Sequence, residues 1–285
     1  MRPGQWTKNL LVLAPLVFGQ RLFDGWSVLR AAVAFLVFCG LSSTVYLFND
    51  VMDRAHDARH PRKRHRPIAS GHVGPWLALA AAAALGGLSV AASVPLGTPF
   101  LLIAVGYLLL QLLYAGPLKH IVILDVLSIA IGFVLRAVAG AVALRVSVSH
   151  WLLVCTILLA LFLALAKRRH EVLLLGDDAT LHRPILGEYS AYLLDQMIAV
   201  VTASTLVAYI FYTISPETEQ KFGTAWLGLT IPFPLYGIFR YLYLVHRKDG
   251  GGSPADLLLN DLPLLGCVTA WICAVVLIIY HPSLP

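Results

Sequence analysis

Apolar runs of 17 to 24 residues recur along the chain, and they neither alternate nor keep to one helical stripe. A surface helix or a half-buried strand leaves a polar side. Runs of this length with few charges instead point to helices that cross a bilayer, where about 20 residues span the hydrocarbon. Nine are predicted, over 9–26, 28–48, 75–94, 98–114, 121–144, 150–167, 192–214, 225–245 and 261–280. Pro15 should kink the first, which Arg21 and Asp24 also interrupt. Pro232 and Pro234 should bend the eighth near its middle. The expected fold class is all-α: residues 1–285 form a single integral-membrane domain, a polytopic bundle of about nine transmembrane helices.

Composition supports that picture. The chain is 59% hydrophobic and 13% charged, with a mean hydropathy of +0.79, whereas soluble domains carry about a quarter charged residues. The start, MRPGQWTKNLLVLAPLVFGQ, has cations at Arg2 and Lys8 but no small-residue cleavage site, and it reads as the approach to a first membrane helix. Cys39, Cys155, Cys267 and Cys273 lie scattered in apolar segments without CxxC spacing, so neither a zinc site nor a disulfide framework is indicated.

Charge then gives the bundle a direction. Of 21 Lys and Arg, the predicted topology puts 15 on one side, 4 on the other and 2, Arg136 and Arg240, within spans. The rich side is cytoplasmic by the positive-inside rule, with the N-terminus inside. The two long polar connections, 49–74 and 168–191, fall on that side, and long loops over a rigid bundle carry function. They follow the second and sixth helices, an offset that suggests two four-helix halves plus a last helix, without a residue-level repeat.

The first long connection opens FNDVMDRAHDARHPRKRHRPIASG. Asp50, Asp53 and Asp57 fall at about 0°, 300° and 340° on a helix continued through them, within one stripe. Three carboxylates on one face need a cation, and oxygen donors without His or Cys favour Mg²⁺, with Mn²⁺ as the alternative, over zinc. Pairing with Arg54, Arg59 and Arg62 at a solvated helix end is the competing reading. The run behind them suits phosphates: Arg64 and Arg66 have guanidinium forks and Lys63 a point charge. Nucleic acid is excluded as a partner, because no soluble domain presents the patch.

Within the spans, Asp125 and Arg136 stand eleven residues apart, on nearly one face but about 16 Å apart along the axis, too far to pair. Asp125 has three candidate partners: Lys119, a metal-bound water or a ribose hydroxyl. Arg136 either meets a lipid phosphate or locks another helix. Tyr114 is either a belt residue or a site residue. Lys167 and Glu171, at i and i+4, can bridge each other. Asp195 suits the start of a helix.

Together these residues resemble a family. NDVMD followed by Asp57 is similar to the NDxxDxxxD signature of the UbiA-type membrane prenyltransferase superfamily, all-helical with nine spans. RPGQWTKN at 2–9, HPRKRHRPIASG at 60–71, LKHIVILDVLSIAIGFVLRAVAGAVAL at 118–144, LALAKRRHE at 163–171 and HRPILGEYS at 182–190 resemble its polyprenyl-phosphate phosphoribosyltransferase branch. Ordinary prenyltransferases carry a second acidic motif at the end of the sixth helix. KRRHEVLLLGDD stands there instead, with Asp177 and Asp178 outside any stripe.

The resemblance implies an enzyme that moves 5-phosphoribosyl from phosphoribosyl pyrophosphate (PRPP) to a polyprenyl phosphate in the membrane lipid. Pyrophosphate is released, and the product serves arabinan or a related glycan. It implies metal at Asp50 and Asp53 with Asn49 and Asp57, and Asp57 or Asp125 as the carboxylate that steadies positive charge on the ribose. Implied substrate contacts are Lys8, Lys63, Arg64, Arg66, Tyr114, Lys119, Arg136, Lys167, Arg168, Glu171 and Arg183. The active site is expected on the cytoplasmic side of the cell membrane, and a homo-oligomer is compatible with the sequence. Two alternatives remain: a prenyltransferase taking a prenyl diphosphate donor, which the missing second acidic motif disfavours, and a carrier of phosphorylated metabolites, which has no need of three metal-spaced carboxylates.

Overall fold

The computed structural model describes residues 3–59, 63–175, 184–247 and 254–281. Its α-helices, in chain order, are α1 Ala14–Phe18, α2 Gly25–Met52, α3 Arg54–Arg59, α4 Pro75–Ser93, α5 Thr98–Ala115, α6 Leu124–Leu144, α7 His150–Leu175, α8 Ala191–Ile214, α9 Pro216–Phe222, α10 Pro232–Arg247, α11 Pro254–Asn260 and α12 Leu262–Tyr280. Among the described residues there is no strand. Seven helices of the described residues are long and apolar enough to cross a membrane, or eight if the bent pair around Gly223 counts as one.

Two predicted spans take a different form. Residues 9–26 are not one α-helix. A 3-10 helix, Pro3–Leu13, runs into the short α1, and the chain then turns at Gly19 and Gln20. The 3-10 rise of about 2.0 Å per residue makes the pair roughly 30 Å long, so the segment keeps a membrane-crossing length without an α-helical span. In the eighth span the prolines do not bend a helix at mid-length. Pro232 and Pro234 occupy the first turn of α10, where a missing N–H costs nothing, and the 102° break lies earlier, between α9 and the 3-10 helix Trp226–Thr230.

The chain divides into two compact units, the first of residues 1–118 and 135–147, the second of 119–134 and 148–285, so that α6 gives its first half to the second unit and its second half to the first. In the first unit, α2 is capped by Asp24, which accepts from the Ser27 N–H, and it buries Ala31, Ala34, Phe38, Leu41 and Val45 at helical spacing. Lipid is as apolar as leucine, so close packing and polar links, not solvent expulsion, hold such helices together. Small residues supply the closeness. A Cβ on Gly40 of α2 would lie 2.1 Å from Ser89 Oγ of α4, and one on Gly140 of α6 would lie 2.1 Å from the Val12 carbonyl oxygen. Side chains supply the links: Trp6 donates to Ser43 Oγ, and Asn9 reaches Cys39 Sγ and Ser42 Oγ, which fastens the 3-10 segment to α2.

In the second unit, α7 and α8 form the frame, with Phe162, Leu165, Leu194, Ile198, Tyr241 and Leu244 in its core. Ser190 caps α8 by accepting from the Leu193 N–H. Asp261 caps α12 and also takes two hydrogen bonds from Arg240, an intramembrane cation thereby given its counter-charge.

Candidate active-site residues in the two units

The acidic stripe breaks where α2 ends. Asn49 and Asp50 belong to its last turn, and Asp53 is the C-cap (φ −88°, ψ 4°), its N–H bonded to the Asn49 carbonyl at 2.8 Å. The chain restarts as α3, and Asp57 is carried away from the line that a continuous helix would draw. Asp57 is 3% exposed, and the Arg66 guanidinium holds it at 2.5 Å while standing 3.3 Å from Asp50. Arg66 thus supplies the cation that these two acids require.

This alters two expectations. Among the described residues, no three His, Cys, Asp or Glu side chains gather closely enough to hold a metal, so the four-residue set with Asp57 is not assembled. Arg66 is engaged by carboxylates rather than held out for phosphate. What remains for a divalent ion is Asn49, Asp50 and Asp53, all half-buried, oxygen donors on one helix end. That set fits Mg²⁺, which binds through one or two carboxylates and keeps water or phosphate elsewhere. The outward carbonyls of a helix C-terminus add negative potential at the same place. Arg64 is exposed, its Nε 3.4 Å from His65 Nε2. The Lys63 side chain, Arg183, Asp177 and Asp178 lie outside the described residues.

Elsewhere in this unit Lys8 is exposed on the 3-10 segment, and Tyr114 is half-buried in the last turn of α5. Arg136 is 6% exposed. It donates to Asn9 Oδ1 at 2.8 Å and to the Tyr107 hydroxyl at 2.6 Å, its guanidinium carbon 4.7 Å from the Tyr107 ring centroid. Of the two parts open to it, the geometry matches the lock: Arg136 joins α6 to α5 and to the segment that carries Lys8.

The second unit gathers charge on α7, which runs eight residues beyond the predicted end of its span, so KRRHE is helical rather than part of a loop. Arg168 is 2% exposed. Its Nε bonds Asp125 Oδ2 at 2.8 Å, and its Nη1 meets Glu171 one turn on. Arg169 bonds Asp195 at 2.5 Å, and His246 of α10 lies 3.3 Å from the same carboxylate. Lys167 stands 3.9 Å from Glu171, with 45% of its side chain exposed. Three cations are therefore matched by Asp125, Glu171 and Asp195, and Lys167 is the one that turns outward. Arg168, expected from the sequence as a phosphate contact, is buried and engaged by two carboxylates. Asp195 is an ion-pair partner rather than only a helix-start charge.

Asp125 is fully buried and both of its oxygens are taken. While Arg168 holds Oδ2, the Tyr189 hydroxyl donates to Oδ1 at 2.7 Å and accepts the Ile123 N–H at 2.8 Å. Neither Lys119 nor a ribose is needed to satisfy it. Burial first, and then the Asp125 carboxylate, push the Tyr189 phenol up to about 12, which keeps its proton in place for the bond. Ile123 adopts φ +69°, a left-handed conformation that costs a β-branched residue about 1–2 kcal/mol. Lys119, half-buried, sits four residues earlier in the 3-10 turn Leu118–His120. Sequence reasoning missed Tyr189, Ile123, Asn9 and Tyr107. A tyrosine directly before a cap serine was the one available sign.

The model of the UbiA prenyltransferase family matches residues 10–260. The chain is 34% identical over 286 residues to a decaprenyl-phosphate phosphoribosyltransferase of Corynebacterium glutamicum, an alignment covering 98% of this chain and 85% of that one. It is 36% identical over 282 residues to the protein of the same name from Mycobacterium tuberculosis, covering 96% and 91%. Among solved structures, a UbiA homolog from Archaeoglobus fulgidus bound to GPP and Mg²⁺ matches with a TM-score of 0.75 at 18% identity, over 96% of this chain and 97% of that one.

Proposed function

Since the chain belongs to the UbiA prenyltransferase family and has its membrane-helix fold, we propose that it transfers 5-phosphoribosyl from PRPP to a polyprenyl phosphate such as decaprenyl phosphate, releasing pyrophosphate. The observation that carries this reading is identity of 34–36% along nearly the whole chain to proteins named for that reaction. The charge layout agrees with it. Among the described residues, Asn49, Asp50 and Asp53 stand together at the end of α2, and the corresponding place on α7 carries cations.

Asp50 and Asp53, with Asn49, would hold the Mg²⁺, with Mn²⁺ a suitable substitute. When bound, the ion neutralises the charge that builds on the leaving pyrophosphate. Lys119 and the outward-turned Lys167 are the phosphate contacts in the second unit, and Lys8, Lys63 and Arg64 are those in the first. Loss of pyrophosphate from ribose C1 leaves positive charge on the ring. The acceptor phosphate is already an anion and attacks C1 without a general base, so no histidine is required. Displacement at C1 inverts the anomeric centre. Asp57 and Asp125 are engaged by Arg66 and Arg168, which favours a positioning part for both. The polyprenyl tail stays in lipid, the reacting groups lie at the cytoplasmic face, and the product serves arabinan or a related glycan.

The test is to incubate the full chain in detergent with PRPP, decaprenyl phosphate and Mg²⁺, following pyrophosphate and the lipid product by mass spectrometry. Phosphoribosylated lipid is expected, absent with EDTA or with Asp50→Ala. Turnover of a prenyl diphosphate with an aromatic acceptor, and none of PRPP, would overturn the reading.

A further inference from the structure

Ile123 is in a conformation that its own side chain does not repay. Its backbone is left-handed at φ +69°, yet the side chain is 48% exposed, so little packing offsets the strain. The compensating interaction comes through the backbone. The Ile123 N–H donates to the hydroxyl of Tyr189, which lies 66 positions away in sequence and is itself 3% exposed. That hydroxyl is held in turn by Asp125, Asp125 by Arg168 and Arg168 by Glu171, a chain of charge-assisted bonds that ends on α7 beside Lys167. The turn fixed in this way joins Lys119 to α6: the Asp125 N–H bonds the Ile121 carbonyl, and the Leu127 N–H bonds the Ile123 carbonyl.

We propose that Tyr189 is a positioning residue whose hydroxyl holds the strained Ile123 turn, and so sets Lys119 where it binds a phosphate of the donor. The relay Tyr189–Asp125–Arg168–Glu171 ties that turn to the helix bearing Lys167, so both phosphate contacts of this unit depend on one buried network. Two of its members, Asp125 and Arg168, are charged groups that the site does not need for direct contact. The relay gives them a purpose that burial alone leaves unexplained. The link to Lys119 rests on the proposed function; the hold on the turn does not.

The two parts are tested separately. Hydrogen–deuterium exchange of residues 118–127 in the full chain needs no substrate. Tyr189→Phe keeps the buried ring and should speed exchange at the Ile123 amide by about fivefold or more, the worth of one buried hydrogen bond. In the PRPP assay the same variant should raise KM for PRPP by about fivefold with kcat changed much less, and it should add nothing to the rise caused by Lys119→Ala. Glycine is at ease at positive φ, so Ile123→Gly alone should leave KM near the wild-type value and should restore it in the Tyr189→Phe background. Unchanged exchange, or a KM rise additive with Lys119→Ala, would overturn the proposal. If Tyr189→Phe does not fold, Ile123→Gly remains decisive, because a large KM rise from it would also sink the idea. A wild-type chain inert toward PRPP would remove the functional reading but leave the exchange result standing or falling by itself.

Discussion

Three like charges gather where α2 gives way to α3 and three more on the last third of α7, and they are resolved in opposite ways. Asp50 and Asp53 lie at the negative pole of α2, where a carboxylate is disfavoured by about 0.3–1 kcal/mol, while Asp57 falls in the first turn of α3. Arg66 relieves Asp57 and partly Asp50. On α7 the charges are cations, roughly two turns before the helix ends, and three carboxylates from α6, α7 and α8 meet them. One end is set against its own helix, the other is compensated. An unfavourable charge arrangement suits the proposed divalent cation, whereas the compensated cations on α7 are held by carboxylates, with Lys167 the most exposed of them. A count of charges along the sequence does not separate the two.

The contrast breaks most plainly at Arg168. Arg168→Ala leaves Asp125 buried without its cation and should lower stability by about 3–5 kcal/mol, read as thermal unfolding in detergent. Adding Asp125→Asn should recover much of that loss. A variant as stable as wild type would mean that the α7 end is not compensated as described.

At the opposite pole, Asp53→Asn should cut product formation by about a hundredfold while stability holds or rises by a few tenths of a kcal/mol, because a disfavoured charge is removed at a helix C-terminus. Loss of activity accompanied by unfolding would instead make Asp53 a structural residue.

The finest distinction concerns Lys167, whose bridge to Glu171 is long and exposed. Lys167→Ala should change stability by less than about 0.5 kcal/mol, yet raise KM for PRPP about threefold. No change in KM would leave α7 without a ligand-facing cation.

Much of the bundle is legible residue by residue, because membrane helices announce themselves locally. A run such as LLIAVGYLLLQLL can satisfy its backbone in lipid only as a helix, whatever lies beside it. The 3-10 form of Pro3–Leu13 was not legible, and its close approach at Val12 to Gly140 joins positions 128 apart in the chain. The candidate site divides in the same way. Asp50 and Asp53 stand out from their spacing, with Asn49 added by the family signature, because one helix end determines how they are placed. The parts played by Asp57, Arg66, Asp125 and Arg168 depend on partners brought by other elements, and spacing along one helix is blind to those.

Amino-acid order alone therefore settled the membrane class and most of the spans, and it singled out one acidic helix end, all consequences of composition and periodicity within 20 or so residues. Folding decided which charges remain available. A carboxylate or guanidinium is a ligand or a strut according to what lies within 3 Å of it. In a low-dielectric interior that neighbour outweighs the residue's own chemistry, and Tyr189, unmarked in the sequence, becomes the link between a strained turn and the buried acid that supports it.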